Sequence, residues 1–472
     1  MKKTSVILAS AILSLLLLGT AVYSDLYNRS PDVLPGTLPE MHTTSYWIAK
    51  MDAPDEVILT VDAIQGMNDA YARKIGSPDP FEGVIEERRP SLSHWWPGYI
   101  LSPPDLMSMS AQAVSDTVRA WISSEIDYLR SKDFGNALAV EYSGRDLDSF
   151  EEEMALGSVG NNLALRTGLA VRTAQVRIIP TRKPDQIGAQ DNGKMRWDMF
   201  NTFILKIGNP ATVIHRSASG EHLFVLTADG YGWVKSTDIA FGDSAVIERF
   251  TGPRDFVVCT GDRELFYTDP SCEYVSGWFG MGDRLPMGES GNDREILIPF
   301  RMPDGVLTAE TVWLAGDSDV SRGWLPYTRR NIVTTAFKLL GNSYDFTGAW
   351  FGRHHETTYR DIFSVFGFKL PWHGSLFTHY GDNESVMLKD IGTEAQYKRI
   401  LENEPFVSLQ SCGGHCQLLL GENDGVPILF DQHGYGYTDS DSVYVEIRRC
   451  CIGTANLPSY FLTRDVTFLN LK

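Results

Sequence analysis

The residues able to do bond chemistry gather in the last third of the chain: His354-His355-Glu356, Cys412, His415-Cys416, His433 and the pair Cys450-Cys451. Thiol and imidazole together are the parts of a cysteine nucleophile and its base, in which one ring takes the proton and a second group fixes its tautomer. The same side chains are zinc donors, and His355, His415 and His433, with His354, His373 or Cys412 nearby, would make a three-imidazole set. A hydrogen bond between two of those rings opposes the ion by occupying a nitrogen on each, so no metal and no cofactor is expected. Cys416 is a poor partner for His415, because neighbours on a strand point to opposite faces. Cys412 stands just before Gly413-Gly414 and would forgo the helix N-terminus that favours a thiolate. The six cysteines, if exported, are open to oxidation. Cys259 lies near Cys272, and Cys412 or Cys416 can meet Cys450 or Cys451 if their strands are neighbours. Spacing leaves the pairing open, and a buried thiol is the plain alternative for each.

Export is read from the start of the chain. Lys2 and Lys3 precede an apolar run from Val6 to Leu18, and Ala21 or Ser24 ends a cleavable leader, residues 1–24. Leu18-Gly19 is followed by Thr20 where a lipoprotein leader needs cysteine, so no lipid is expected. The rival is an uncleaved anchor of about 20 residues reaching Tyr23, barely long enough for a bilayer. The expected location is the periplasm or cell envelope, with no stable span once the leader is cut. A formal net charge of −18 excludes nucleic acid as a partner, since phosphate neutralisation needs clustered Lys and Arg. At 472 residues the chain has room for roughly three or four domains.

The elements that must position the reactive residues follow in order. Residues 25–45, rich in Pro, Ser and Thr, read as a linker. Val57-Ile58-Leu59 is strand-like, and Thr60 caps a helix from Val61. Val114, Val118, Trp121, Ile122, Ile126 and Leu129 form the apolar stripe of a second helix. Short runs at 176–179, 211–214, 223–226 and 231–234, split by Gly and Ser, predict a small β-barrel. A second block runs from Phe256 to about Arg301, with Pro303-Asp304-Gly305 as a turn. Helices then return, one capped by Thr328 and closed by Gly341, one carrying Tyr359 to Phe366 and ending at Gly367, and one over Thr393–Leu401. Strands around 416–420, 428–430 and 443–447 complete an α+β domain.

Ordered pieces of the chain resemble the NlpC/P60 cell-wall cysteine peptidases of the multi-domain type. Tyr46-Trp47-Ile48 resembles the start of a helical stabilising domain. Gly208-Asn209-Pro210 and Gly232-Trp233-Val234 resemble a bacterial SH3 domain, and Gly323-Trp324-Leu325-Pro326-Tyr327-Thr328 the opening of the peptidase domain. The implied domains are 46–160 (stabilising), 161–245 and 246–325 (SH3-like barrels) and 326–472 (papain-like α+β). Counting from Leu340-Gly341 through Tyr344 to Phe366-Gly367 and Leu370-Pro371 puts the nucleophile's position at His355, with His354 and Glu356 where the family has aspartate and serine.

The resemblance implies His415 as the catalytic histidine, His433 as the residue orienting it, and Tyr344, Arg353 and Glu356 as substrate-binding positions. Trp372-His373 stand where the family often has Arg-Asn. With several pocket positions changed together, the favoured reading is a non-catalytic envelope protein binding peptidoglycan stem peptide or a protein partner. The alternative is a γ-D-glutamyl-diamino-acid endopeptidase using an unrecognised nucleophile or a metal-bound water. A third reading makes the last domain a structural platform.

Overall fold

The structure, a computed structural model, describes residues 33–75, 104–131, 142–160, 165–183, 186–187, 197–371, 380–386, 388–389, 391–412, 415–438, 444–457, 462 and 466–472. The expected leader, residues 25–32 of the linker, His373 and Gly414 lie outside these, as does the side chain of Cys412. No helix among the described residues is long and apolar enough to cross a membrane.

Side-chain caps start the helices that frame the site. Thr60 Oγ1 accepts from the Ala63 amide at 3.3 Å at the head of Val61–Ile75, and Thr328 Oγ1 accepts from Asn331 at 3.2 Å at the head of Arg329–Phe337. Each satisfies an amide the first turn leaves unpaired. The second helix stops at Phe337, short of Gly341, whose φ of +84° turns the chain back toward the sheet. There the Gly341 amide donates to the Cys450 carbonyl at 2.9 Å.

Seven short antiparallel strands form the first barrel, in the order Ile239–Ala240, Arg166–Ala170, Pro210–Arg216, His222–Leu226, Tyr231–Lys235, Ala174–Arg177, Asn201–Leu205. Val176, Phe203, Leu223, Val225 and Val234 fill it. Gly232 has φ +157°, and a Cβ there would stand 2.7 Å from the Arg177 carbonyl, so only glycine lets these strands meet. The second barrel joins a three-stranded and a four-stranded sheet. Its hairpin from Glu295–Arg301 to Leu307–Leu314 turns at Gly305, φ +90°.

The C-terminal unit is a six-stranded antiparallel sheet in the order Asp382–Val386, Val466–Asn470, Ser408–Cys412, His415–Asn423, Val426–His433, Arg449–Thr454. Arg329–Phe337 and His355–Ser364 cover it through Ile332, Val333, Ile362 and Phe363 against Leu418 and Phe430. The architecture is α+β. The strand expected near 443–447 is Tyr444–Glu446, which pairs with Gly436–Thr438 in a separate ribbon, while Arg449–Thr454 takes the sheet edge.

Region 46–160 divides between two cores. Trp47 and Ile64 are buried with Tyr327, Ile332 and Phe363 in the C-terminal core, and Val57–Leu59 pairs with Tyr327–Thr328. Val114, Val118, Ile122 and Ile126 of the helix Ala111–Ser131 instead pack on Phe224 and Trp233 of the first barrel. Inside that second contact Glu125 is fully buried and accepts from the Trp233 indole N–H at 3.2 Å. Burial pushes its carboxyl well above the usual range, which the indole bond opposes. The folded protein therefore holds this proton to higher pH than the unfolded chain, and stability falls as pH rises above about 4.5. Glu125→Gln keeps the acceptor and removes the charge. It is expected to raise stability at pH 7.5 by about 1–3 kcal/mol and to flatten the change between pH 5.5 and 7.5 in urea melts.

Candidate functional site

The helix His355–Ser364 opens with His354 at its cap, whose amide donates to Thr357 Oγ1 at 3.0 Å. His355 is thus the first helical residue, where unpaired amides and the helix dipole favour negative charge. Its ring stacks on His415 at 4.3 Å between centroids, with 8° between planes. The Tyr344 hydroxyl lies 3.4 Å from His355 Nδ1. Glu356 turns back beneath the two rings, with Oε2 2.6 Å from His354 Nδ1 and 3.0 Å from His355 Nε2. Burial pushes His355 well below the usual histidine range, with Glu356 opposing and His415 and His354 adding to the shift. The ring is therefore neutral at physiological pH.

His415 and His433 do not hydrogen-bond each other; their centroids are 5.9 Å apart and Asp431 stands between them. One Asp431 oxygen is 2.8 Å from His415 Nε2; the other is 3.1 Å from His433 Nδ1 and accepts from Gln417 Nε2 at 2.8 Å. The strand register places Gln417 opposite Asp431, and the period of two puts His415 and Gln417 on one face with Asp431 and His433. Burial pushes the Asp431 carboxyl up, but the two imidazoles more than offset this and hold it far below the usual range. The group orienting His415 is thus Asp431, and His433 holds Asp431 from the far side. Sequence reasoning passed over Asp431, although alternation back from His433 points to it.

Of the expected ligand-gripping positions, Tyr344 and Glu356 meet His355, whereas Arg353 is engaged elsewhere. Its guanidinium is buried, pairing with Asp262 of the second barrel and, at 2.7 Å, with Asp361 of the site helix. Lys206, beside the last strand of the first barrel, continues the chain of charges to Asp361 at 2.7 Å and Asp283 at 2.9 Å. Burial pushes Asp361 up, and Lys206 and Arg353 more than offset it. This ladder fixes the site helix against both barrels. Loop 345–353 is tied down similarly, with Gln175 donating to the Ala349 carbonyl at 2.5 Å, Asn201 to that of Thr347 at 2.5 Å, and Arg263 to that of Phe351. A cavity of about 70 Å³ lies between the barrels and this loop and reaches His354.

Among the described residues two groups offer donors close enough for one ion: His354, His355 and Glu356, and His415, Asp431 and His433. The alternative three-imidazole set of His355, His415 and His433 does not meet at a point. An ion needs to lie near the plane of each ring it binds, and the rings of His355 and His415 are nearly parallel. Cys259, Cys272, Cys450 and Cys451 are free thiols. Cys416 points into the core, away from the histidine face. Burial pushes the thiols of Cys259, Cys450 and Cys451 well up, the wrong direction for a nucleophile.

Residues 189–235, which take in the strands Asn201–Leu205 and Pro210–Arg216 to Tyr231–Lys235 of the first barrel, match the SH3 domain (SH3b1 type) family. A solved structure described as a novel NlpC/P60 endopeptidase from Photobacterium damselae subsp. piscicida superposes with a TM-score of 0.66 at 17% identity, covering 90% of this chain and 96% of that one. An NlpC/P60 family protein from Bacillus cereus aligns at 15% identity over 64% of this chain and 98% of its own, with a TM-score of 0.41. No curated protein sequence matches the chain.

Proposed function

We infer, for a multidomain chain that joins an SH3 domain to the NlpC/P60 fold, an exported envelope protein that binds peptidoglycan stem peptide without thiol chemistry. The observation that carries this reading is His355. The first residue of the site helix, beside an oriented His415, is an imidazole held neutral by burial. A neutral imidazole can accept a hydrogen bond or form an acyl-imidazole, but it lacks the thiolate's nucleophilicity. The dyad of His415 and Asp431 is otherwise built as a base, so the cleft retains the means to orient a polar ligand. In this reading Tyr344, His355 and His415 face the ligand, Glu356 and His433 position the rings, and Arg353 braces the helix.

The test is binding. Purified protein without residues 1–24 should co-sediment with isolated sacculi and bind the tripeptide L-Ala-γ-D-Glu-diaminopimelate in calorimetry, with the peptide recovered intact. Loss of binding on Tyr344→Ala would place the ligand at this site. No binding to sacculi or to the peptide would remove the reading.

A further inference from the structure

The first barrel carries a second concavity, of about 170 Å³, whose charge runs against that of the whole chain. Arg172, Arg177, Arg182 and Lys235 line it, with Asp238 as the one carboxylate among its described lining residues, in a protein whose net charge is −18. Arg177 is neutralised by Asp198, its buried partner at 2.7 Å. Arg172 touches Asp238 only at 3.5 Å and is largely exposed. Arg182 and Lys235 have no ion-pair partner among the described residues. Arg172, Lys235 and Arg182 all act on Asp238, and on His222 Arg182 and Arg177 act against the larger opposing effects of Glu153 and Glu221, so the cations share one field beside two outlying carboxylates.

Two buried polar side chains line this cavity with their hydrogen-bonding capacity unused. His222 is 4% exposed, and among the described residues neither ring nitrogen has a hydrogen-bond partner; Thr173 Oγ1 is likewise buried and without a partner among them. Buried polar groups are nearly always satisfied, so an orphaned ring and hydroxyl beneath a cluster of cations point to an acceptor that completes them. Guanidinium forks, an ammonium, an imidazole N–H and a hydroxyl are all donors to an oxyanion. Thr173 and Phe351 line both this cavity and the one that reaches His354, the residue before His355, so the two concavities adjoin.

We propose that the cavity bounded by Arg172, Arg182, Lys235, His222 and Thr173 receives a carboxylate of the peptide in the cleft, which rests on the stem-peptide reading above. The peptide is favoured over a free phosphate or a phosphate-bearing polymer because the two cavities share a wall.

The experiment compares the free tripeptide, the same peptide with its carboxylates converted to amides, and inorganic phosphate, by calorimetry on wild type and on Arg182→Gln/Lys235→Gln. Circular dichroism checks the fold of the variant. Wild type is expected to bind the free peptide about tenfold more tightly than the amide, and the double variant to lose that preference while binding the amide unchanged. Equal affinity for both peptides in wild type would overturn the subsite. Phosphate bound by wild type and not by the variant, with no preference between the peptides, would overturn the peptide as occupant. If neither peptide binds while phosphate binds in this variant-sensitive way, the stem-peptide reading falls and the oxyanion pocket remains. Absence of all binding would end both.

Discussion

His355→Cys is expected to convert the protein into a peptidase. The substitution puts a thiol at the first residue of a helix, where the dipole and free amides stabilise a thiolate. The His415 ring already stacks on that position at 4.3 Å and is held by Asp431 at 2.8 Å. A positioned general base typically contributes 10²–10⁴-fold, so cleavage of the tripeptide should rise at least about 100-fold above wild type, read by mass spectrometry. Glu356 limits the gain, because its carboxylate lies 3.0 Å from the present ring and would raise the thiol's pKa. His355→Cys/Glu356→Ser should therefore be faster still, by about tenfold. A cysteine that is alkylated readily yet cleaves nothing would show that the cleft is not in register with the substrate.

Asp431→Asn should be the most damaging single change at the site. The carboxylate serves His415, His433 and Gln417 at once. An amide offers one oxygen to those donors and turns its NH2 on another. Breaking a buried charge cluster of this kind costs about 3–5 kcal/mol. The sign with pH follows from the depressed carboxyl. The folded state binds the Asp431 proton less readily than the unfolded chain, so the contribution is complete above about pH 4 and fades on acidification below it. Urea melts should show the full gap between wild type and variant at pH 7 and a narrowing gap toward pH 3. In the His355→Cys background the same change should abolish the acquired cleavage. A gap that does not change with pH would deny the carboxylate its role.

What the sequence made legible was local. Thr60 and Thr328 announced their helices because a cap is a contact within three residues. His355 was placed by counting along one uninterrupted stretch from Tyr344 to Phe366. Asp431 escaped because its role depends on strand register, which brings Gln417 opposite it and His415 onto its face. The commitment of Arg353 was hidden for the same reason: Asp262 lies 91 residues away. The barrels were readable as blocks of short strands, while the partition of 46–160 between two cores depends on packing that no local pattern encodes.

That partition bears on whether the parts can travel separately. A cut at residue 326 removes Met41, Trp47 and Ile64 from the core of the piece beyond it, where Trp47 packs edge-on to Phe406 and sits against Gly421. It also strips the edge of Tyr327–Thr328, which borrows Val57–Leu59 as its partner. The C-terminal piece alone would present a raw apolar wound and an unpaired edge, the ingredients of self-association. This segment is synthesised far ahead of the sheet it plugs, so the chain must hold that plug in waiting until nearly the last strand is made. Evolution of this protein by swapping its last unit would have to carry the distant plug along with it.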